Sequence, residues 1–123
     1  MAVHFYDTNP QNLITFVQHW HNKYGKPVAL TEFACQNFGG GAQADMDGVW
    51  SFYKTVMPFL TSQSWMEGVF PFGKLHACSR VLHRLILPTT GFLEDMGNVN
   101  PDNQLMRGGQ LTDLGAYIVG GNY

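Results

Sequence analysis

Val28-Ala29-Leu30-Thr31-Glu32-Phe33 is a nearly continuous apolar run of strand length, broken once by a carboxylate. A run of this kind belongs to a strand covered on both faces. Upstream, Gly25-Lys26-Pro27 separates it from a segment in which Leu13, Phe16, Val17, Trp20 and Tyr24 fall at the spacing of one helix face. Pro10 suits the first turn of that helix and Gly25 its end. Residues 2–6 are rich in Val, Phe and Tyr and stop at the turn cluster Asp7-Thr8-Asn9-Pro10, which predicts a strand and a loop. Downstream, residues 37–44 hold three consecutive glycines and read as an open loop. Asp45 is placed to cap a second helix, with Met46, Val49, Trp50, Tyr53, Val56, Met57 and Leu60 on one face. Pro58 is expected to kink or end it. Residues 61–64 read as a polar turn, and residues 65–72 as a third strand ending at Gly73. Strands alternating with helices of this length imply parallel crossovers and an α/β architecture, with the loops after the strands gathered on one face. Residues 74–90 show no clear periodicity, residues 98–109 are turn-rich, and Thr112 can cap a short helix through Leu114, Tyr117 and Ile118.

The chain has 123 residues, of which 45% are hydrophobic, 14% aromatic and 13% charged, with a net charge of -2. One domain or less fits that length. So few charges exclude a disordered tail, and the mild acidity excludes a basic surface made for nucleic acid. Two cysteines make no disulfide framework. The longest apolar stretches, at 69–72 and 85–87, fall far short of the ~20 residues that span a bilayer. Met1 to Asp7 shows neither a basic leader nor an apolar segment of signal-peptide length, and reads as a chain entered halfway.

Glu32 draws attention first, because an ionised carboxylate in an apolar strand just before a glycine-rich loop needs a reason. It is either functional or paired with a neighbouring cation. His4 and Tyr6 share one face of their strand and can point into the same cleft. A phenol there can hydrogen-bond a carboxylate and hold it ionised, although a core tyrosine and a hydrogen-bonded histidine fit the pattern equally well. No metal site is expected: His19 and His21 diverge on a helix, and Cys78 and His83 lack the paired spacing of a zinc site. Cys35 has no protease signature around it and reads as a small buried side chain. Gly39-Gly40-Gly41 lacks the residues that turn a glycine loop into a phosphate cradle, so no cofactor is implied.

His4-Phe5-Tyr6, the run Gly25-Lys26-Pro27-Val28-Ala29-Leu30-Thr31-Glu32-Phe33-Ala34-Cys35, then Val69-Phe70-Pro71-Phe72-Gly73, and finally Gly109-Gln110-Leu111-Thr112-Asp113-Leu114-Gly115 with Tyr117 resemble the fungal Asl1-like glycosyl hydrolases, glycoside hydrolase family 128. The resemblance covers nearly the whole chain except residues 74–90. It implies a (β/α)8 barrel acting on β-1,3-glucan, represented here by its last three strand–helix units, since a whole barrel takes roughly 250 residues. It further implies Glu32 as catalytic nucleophile at the end of barrel strand seven, Tyr6 and His4 on strand six with the tyrosine supporting it, and Phe70 and Phe72 among the strand-eight aromatics that line sugar subsites. Phe72 stands where the family usually has Trp or Tyr, and Asp7 where it commonly has Gly. The general acid and base, a glutamate after an asparagine on strand four, has no counterpart: Glu67 and Glu94 lack an Asn-Glu-Pro setting, and Glu67 begins a strand.

Three readings follow. One is the carboxyl-terminal part of a retaining glucan hydrolase, inactive alone, with β-1,3-glucan or a related cell-wall polysaccharide as partner, no nucleic acid or membrane, and sheet edges open to self-association. By the same resemblance it is secreted or in the cell wall. The second is a non-catalytic glucan-binding remnant that stacks sugars on Trp65, Phe70, Phe72 and Trp50. The third is an unfolded product of a truncated gene model. Residues 74–90 interrupt the motif and are expected to be a foreign insertion, a retained intron being one origin.

Overall fold

The computed structural model describes residues 1–72, 97–121 and 123. The expected insertion at 74–90, and with it Cys78, His83 and Glu94, lies outside the described residues.

The first strand, β1 (Ala2–Asp7), leads into helix α1 (Pro10–Tyr24). Asn9 caps that helix, its side chain accepting from the Gln11 N–H at 3.0 Å, and Gly25 ends it with its N–H on the His21 carbonyl at 2.8 Å. Then come β2 (Val28–Cys35), α2 (Met46–Ser62) and β3 (Met66–Pro71). The sheet is parallel throughout, in the order β1-β2-β3, so β2 is central and β1 and β3 form its edges. After the undescribed stretch, a 3₁₀ turn (Pro101–Asn103), a two-residue ribbon of β4 (Met106–Arg107) and β5 (Gln110–Leu111), and α3 (Asp113–Gly120) complete the chain.

One face of the sheet is covered by helices. Val3, Val28, Leu30, Phe33 and Cys35 from the strands meet Leu13 and Val17 of α1, Val49, Phe52, Tyr53, Val56, Met57 and Leu60 of α2, and Leu114 and Ile118 of α3. Burying each of the larger apolar side chains stabilises the fold by roughly 1.5–3 kcal/mol. Helix α3 sits so closely that a Cβ on Gly115 would collide with the Leu105 carbonyl oxygen, which restricts that position to glycine. Thr112 caps α3 through the Gly115 N–H at 3.0 Å, as the sequence predicts.

Four details differ from the sequence reading. Pro58 does not end α2, which continues to Ser62: Met57 and Leu60 on either side are buried, and the Thr61 hydroxyl donates to the Met57 carbonyl at 2.8 Å. Met46 is exposed, while Phe52, absent from the predicted face, is buried. Strand β2 runs two residues past Phe33, because Ala34 and Cys35 pair with Tyr6 and Asp7 of β1, and Asn103 bonds the Cys35 peptide through both the N–H and the carbonyl at 2.9 Å. The β4–β5 ribbon was hidden among turn residues that carry no alternating pattern.

The register of β2 decides where Glu32 points. Leu30 pairs with Val3 and Glu32 with His4, so Thr31 is an extra residue in β2, and its hydroxyl donates to the Val3 carbonyl at 3.3 Å. On the other side, Leu30 and Phe33 pair with Val69 and Pro71. Strict alternation would put Glu32 on the same face as Leu30. The bulge shifts the phase, so that Leu30 and Phe33, three apart, both bury under the helices and Glu32 turns to the opposite face.

Candidate functional site

On the face away from the helices, the Tyr6 hydroxyl donates to Glu32 Oε1, and His4 Nδ1 lies 3.9 Å from Glu32 Oε2. The register explains the meeting: Glu32 stands opposite His4, and Tyr6 is opposite Ala34, one pleat further toward the carboxyl ends of the strands. Tyr6 packs with Phe72, Ala34 and Val99, and the Tyr6 and Phe72 ring centroids are 6.0 Å apart. The phenol of Tyr6 is held well above its ordinary titration range, by burial first and then by its hydrogen bond to Glu32 and that residue's charge. It therefore stays a donor at any physiological pH. The His4 side chain is 60% exposed and that of Glu32 35%, so a solute can reach the carboxylate.

Of the residues singled out from sequence, His4, Tyr6, Glu32 and Phe72 come together. Phe70 shares the face of Phe72 by alternation, and its ring lies against the backbone of Gly68. Trp65 and Trp50 stand elsewhere. Trp65 precedes β3 at the amino end of the sheet and stacks on His21 at 4.4 Å, while Trp50 on α2 meets Tyr117 at 5.6 Å. Glu67 sits exposed at the start of β3. Cys35 is buried as expected, facing the helices, and burial together with the nearby charge of Asp7 pushes its thiol up to about 11. No group of three or more metal-ligating side chains occurs among the described residues, and no helix there is long and apolar enough to cross a membrane.

Three features escaped the sequence reading. Asp7 accepts from the Asn9 N–H at 2.7 Å and from Asn12 Nδ2 at 2.9 Å, and so fixes the turn into α1. Gln36, Asn100 and Asn103 form a buried amide cluster behind the site, in which Gln36 Oε1 accepts from the Asn100 N–H and Asn100 Nδ2 donates to the Ala44 carbonyl at 2.8 Å. Phe38 meets the Tyr6 ring edge-on, with centroids 5.0 Å apart. A lone aromatic ahead of Gly39-Gly40-Gly41 was the only signal in the sequence for the last of these.

Parallel βα units that carry a carboxylate and its phenol partner toward the carboxyl ends of the strands match the way a (β/α)8 barrel builds its site. The chain belongs to the glycosyl hydrolase catalytic core family, whose sequence profile matches residues 1–118. It is similar to the crystal structure of an exo-β-1,3-glucanase of glycoside hydrolase family 128, subgroup V, from Cryptococcus neoformans, with 28% identity and a TM-score of 0.72 over 99% of this chain and 44% of that one. An endo-β-1,3-glucanase of subgroup I from Amycolatopsis mediterranei, solved with laminaritriose, matches at 18% identity and a TM-score of 0.68, over 98% of this chain and 44% of that one. A subgroup VII oligosaccharide-binding protein from Cryptococcus neoformans matches at 16% and 0.67, over 98% of this chain and 39% of that one. The chain thus spans under half the length of these relatives. No protein of curated function matches it significantly in sequence.

Proposed function

We propose that the chain is the carboxyl-terminal part of a retaining glycoside hydrolase acting on β-1,3-glucan, with Glu32 as nucleophile. The observation that carries this reading is the Tyr6–Glu32 hydrogen bond on the open face of the sheet, beside the half-exposed ring of Phe72. Glu32 attacks the anomeric carbon through the oxygen that Tyr6 leaves free, forming a glycosyl-enzyme ester as the bond to the leaving oxygen breaks. Tyr6 fixes the rotamer of the carboxylate, and His4, Phe70 and Phe72 contact the sugar. The leaving oxygen needs a proton from a second carboxyl group about 5–5.5 Å from the first, and later a base to activate water. In this reading that group comes from barrel strands outside these 123 residues, and the chain alone does not turn over. General acid–base assistance alone is worth roughly 10²–10⁴ in rate, and lost substrate positioning costs more. A place in the secretory route or cell wall follows from the same reading.

The test is complementation. Mixed with the first five strand–helix units of a family relative, the chain should hydrolyse laminarin, lose that activity with Glu32→Gln and keep it with Glu67→Gln. Hydrolysis by the lone chain that survives Glu32→Gln overturns the assignment. A second reading, a glucan-binding remnant without catalysis, is favoured by the likeness to the oligosaccharide-binding protein of subgroup VII. In that case complementation yields no activity, and laminari-oligosaccharides bind the chain as well after Glu32→Gln as before.

A further inference from the structure

Tyr6 serves Glu32 only while its ring is held still, because the first torsion of a tyrosine has three staggered wells and the hydroxyl reaches Glu32 Oε1 from the one observed. Ala34, Val99 and Phe72 pack against the phenol, with the Phe72 centroid 6.0 Å away. The nearer ring is Phe38, 5.0 Å away and edge-on at 68°. Phe38 contributes nothing to the core: it is 59% exposed, in the loop after β2. That loop is tied at both ends and across its middle. Gln43 closes it reciprocally, its Oε1 accepting from the Asn37 N–H at 2.9 Å and its Nε2 donating to the Asn37 carbonyl at 2.6 Å. Asn37 Oδ1 in turn accepts from the Gly39 N–H at 2.7 Å, and the chain reverses through Gly40 at a φ of 80°, a conformation that side chains disfavour. On the inner side, Gln36 and Ala44 are both held by Asn100, which is buried.

So many hydrogen bonds around one exposed phenyl ring leave it little freedom, and what the ring meets is the phenol that holds the carboxylate. An edge-to-face contact is directional, so it resists rotation of Tyr6 away from Glu32. It also keeps water off the phenol. Burial is the first cause of the raised titration of Tyr6, and a hydrogen bond to a carboxylate strengthens where water is excluded. With Phe38 gone, the other two wells of Tyr6 compete with the observed one, and the share of phenol aimed at Glu32 falls by up to about threefold. Water competing for the hydroxyl adds to that loss. The effect of Phe38 on the carboxylate thus runs through Tyr6.

We infer that Phe38 is a positioning residue, held by the 36–44 loop against Tyr6 so that the phenol stays aimed at Glu32. Its consequence for catalysis rests on the nucleophile reading of Glu32 given above, whereas the aim of Tyr6 is measured without it. NMR of the full 123-residue chain reads that aim, from the three-bond couplings that report the Tyr6 rotamer and from the nuclear Overhauser contact between the Tyr6 ring and the Glu32 side chain. The wild type should show one rotamer and a strong contact. Phe38→Ala should average the couplings and weaken the contact about two- to threefold, and Phe38→Trp should restore both. Gln43→Ala, which unties the loop, should reproduce the loss with the phenyl ring still present. Phe38 and Gln43 are both exposed, so the melting temperatures should match the wild type, which separates lost aim from lost fold. In the complemented barrel, Phe38→Ala should lower kcat on laminarin about threefold or more and leave KM within about twofold. A single Tyr6 rotamer with an undiminished contact in Phe38→Ala overturns the proposal. So does a raised KM at unchanged kcat, the mark of a ring that touches the sugar. A wild-type barrel without activity, with Tyr6 still loosened by Phe38→Ala, overturns the nucleophile reading and leaves the positioning of Tyr6 standing.

Discussion

Asn103 is fully buried, and its side-chain amide is paired with the peptide of Cys35, itself fully buried: Oδ1 accepts from the Cys35 N–H and Nδ2 donates to the Cys35 carbonyl, both at 2.9 Å. This amide ties the end of β2 to the turn at 101–103. Asn103→Ala removes both partners of the Cys35 peptide at a site closed to water. A buried polar group left unpaired costs about 1–3 kcal/mol, so the two together should cost about 2–6 kcal/mol. With an unfolding entropy near 2.1 cal/mol/K per residue, 1 kcal/mol corresponds to about 4 °C for a chain of 123 residues. The melting temperature, followed by circular dichroism, should therefore fall by about 8–24 °C. Hydrogen exchange at the Cys35 amide should accelerate by at least as much as the global loss allows. Asn103→Asp is the discriminating control: it keeps the acceptor for the Cys35 N–H but turns an oxygen toward the Cys35 carbonyl, so it too should destabilise. A drop under about 4 °C for Asn103→Ala, or an Asn103→Asp protein as stable as the wild type, refutes the reasoning.

Gly115→Ala should destabilise the chain by about 1–3 kcal/mol in urea unfolding, because the added methyl collides with the Leu105 carbonyl and must lift α3 from the core; an unchanged midpoint contradicts that close seat. The Tyr53 hydroxyl is fully buried with no hydrogen-bond partner among the described residues, so Tyr53→Phe should raise the melting temperature, and a lower one would mean that the hydroxyl is paired. Cys35 should resist iodoacetamide in the native chain at pH 8 and react on unfolding, read by peptide mass. Its thiol is raised from 9.0 to about 11, so the native state favours the protonated form: stability from this group is intact below pH 9 and declines as pH rises toward 11. A denaturation midpoint that climbs over that interval is the contrary result. Deleting residues 74–90 should leave the melting temperature unchanged or higher, and a loss of solubility would show that the segment packs.

The order of elements was legible from residue spacing alone. Leu13, Val17, Val49, Val56 and Leu60 recur at helical period, Asn9, Asp45 and Thr112 stand where helix caps stand, and the apolar run from Val28 announces a strand covered by helices. These are local or one-dimensional signals, in which each residue's preference is expressed against near neighbours in the chain. Glu32 was visible for the same reason, as a charge where apolar side chains were due. What the sequence left open depends on contacts between distant segments. The phase of β2 at Glu32 is set by the extra residue Thr31 relative to β1 and β3, and a bulge changes the face of every later side chain without changing any residue type. Two residues of β2 beyond Phe33 exist as strand because Tyr6 and Asp7 of β1 pair with them, and an asparagine 68 positions later bonds the second of them, Cys35. Helix α2 passes through Pro58 because burial of Met57 and Leu60 outweighs the hydrogen bond that proline cannot make. Phe38 in sequence is one aromatic beside three glycines. Only the folded chain lays it against Tyr6, since the approach of β1 to the loop after β2 is a tertiary event that composition and spacing do not encode.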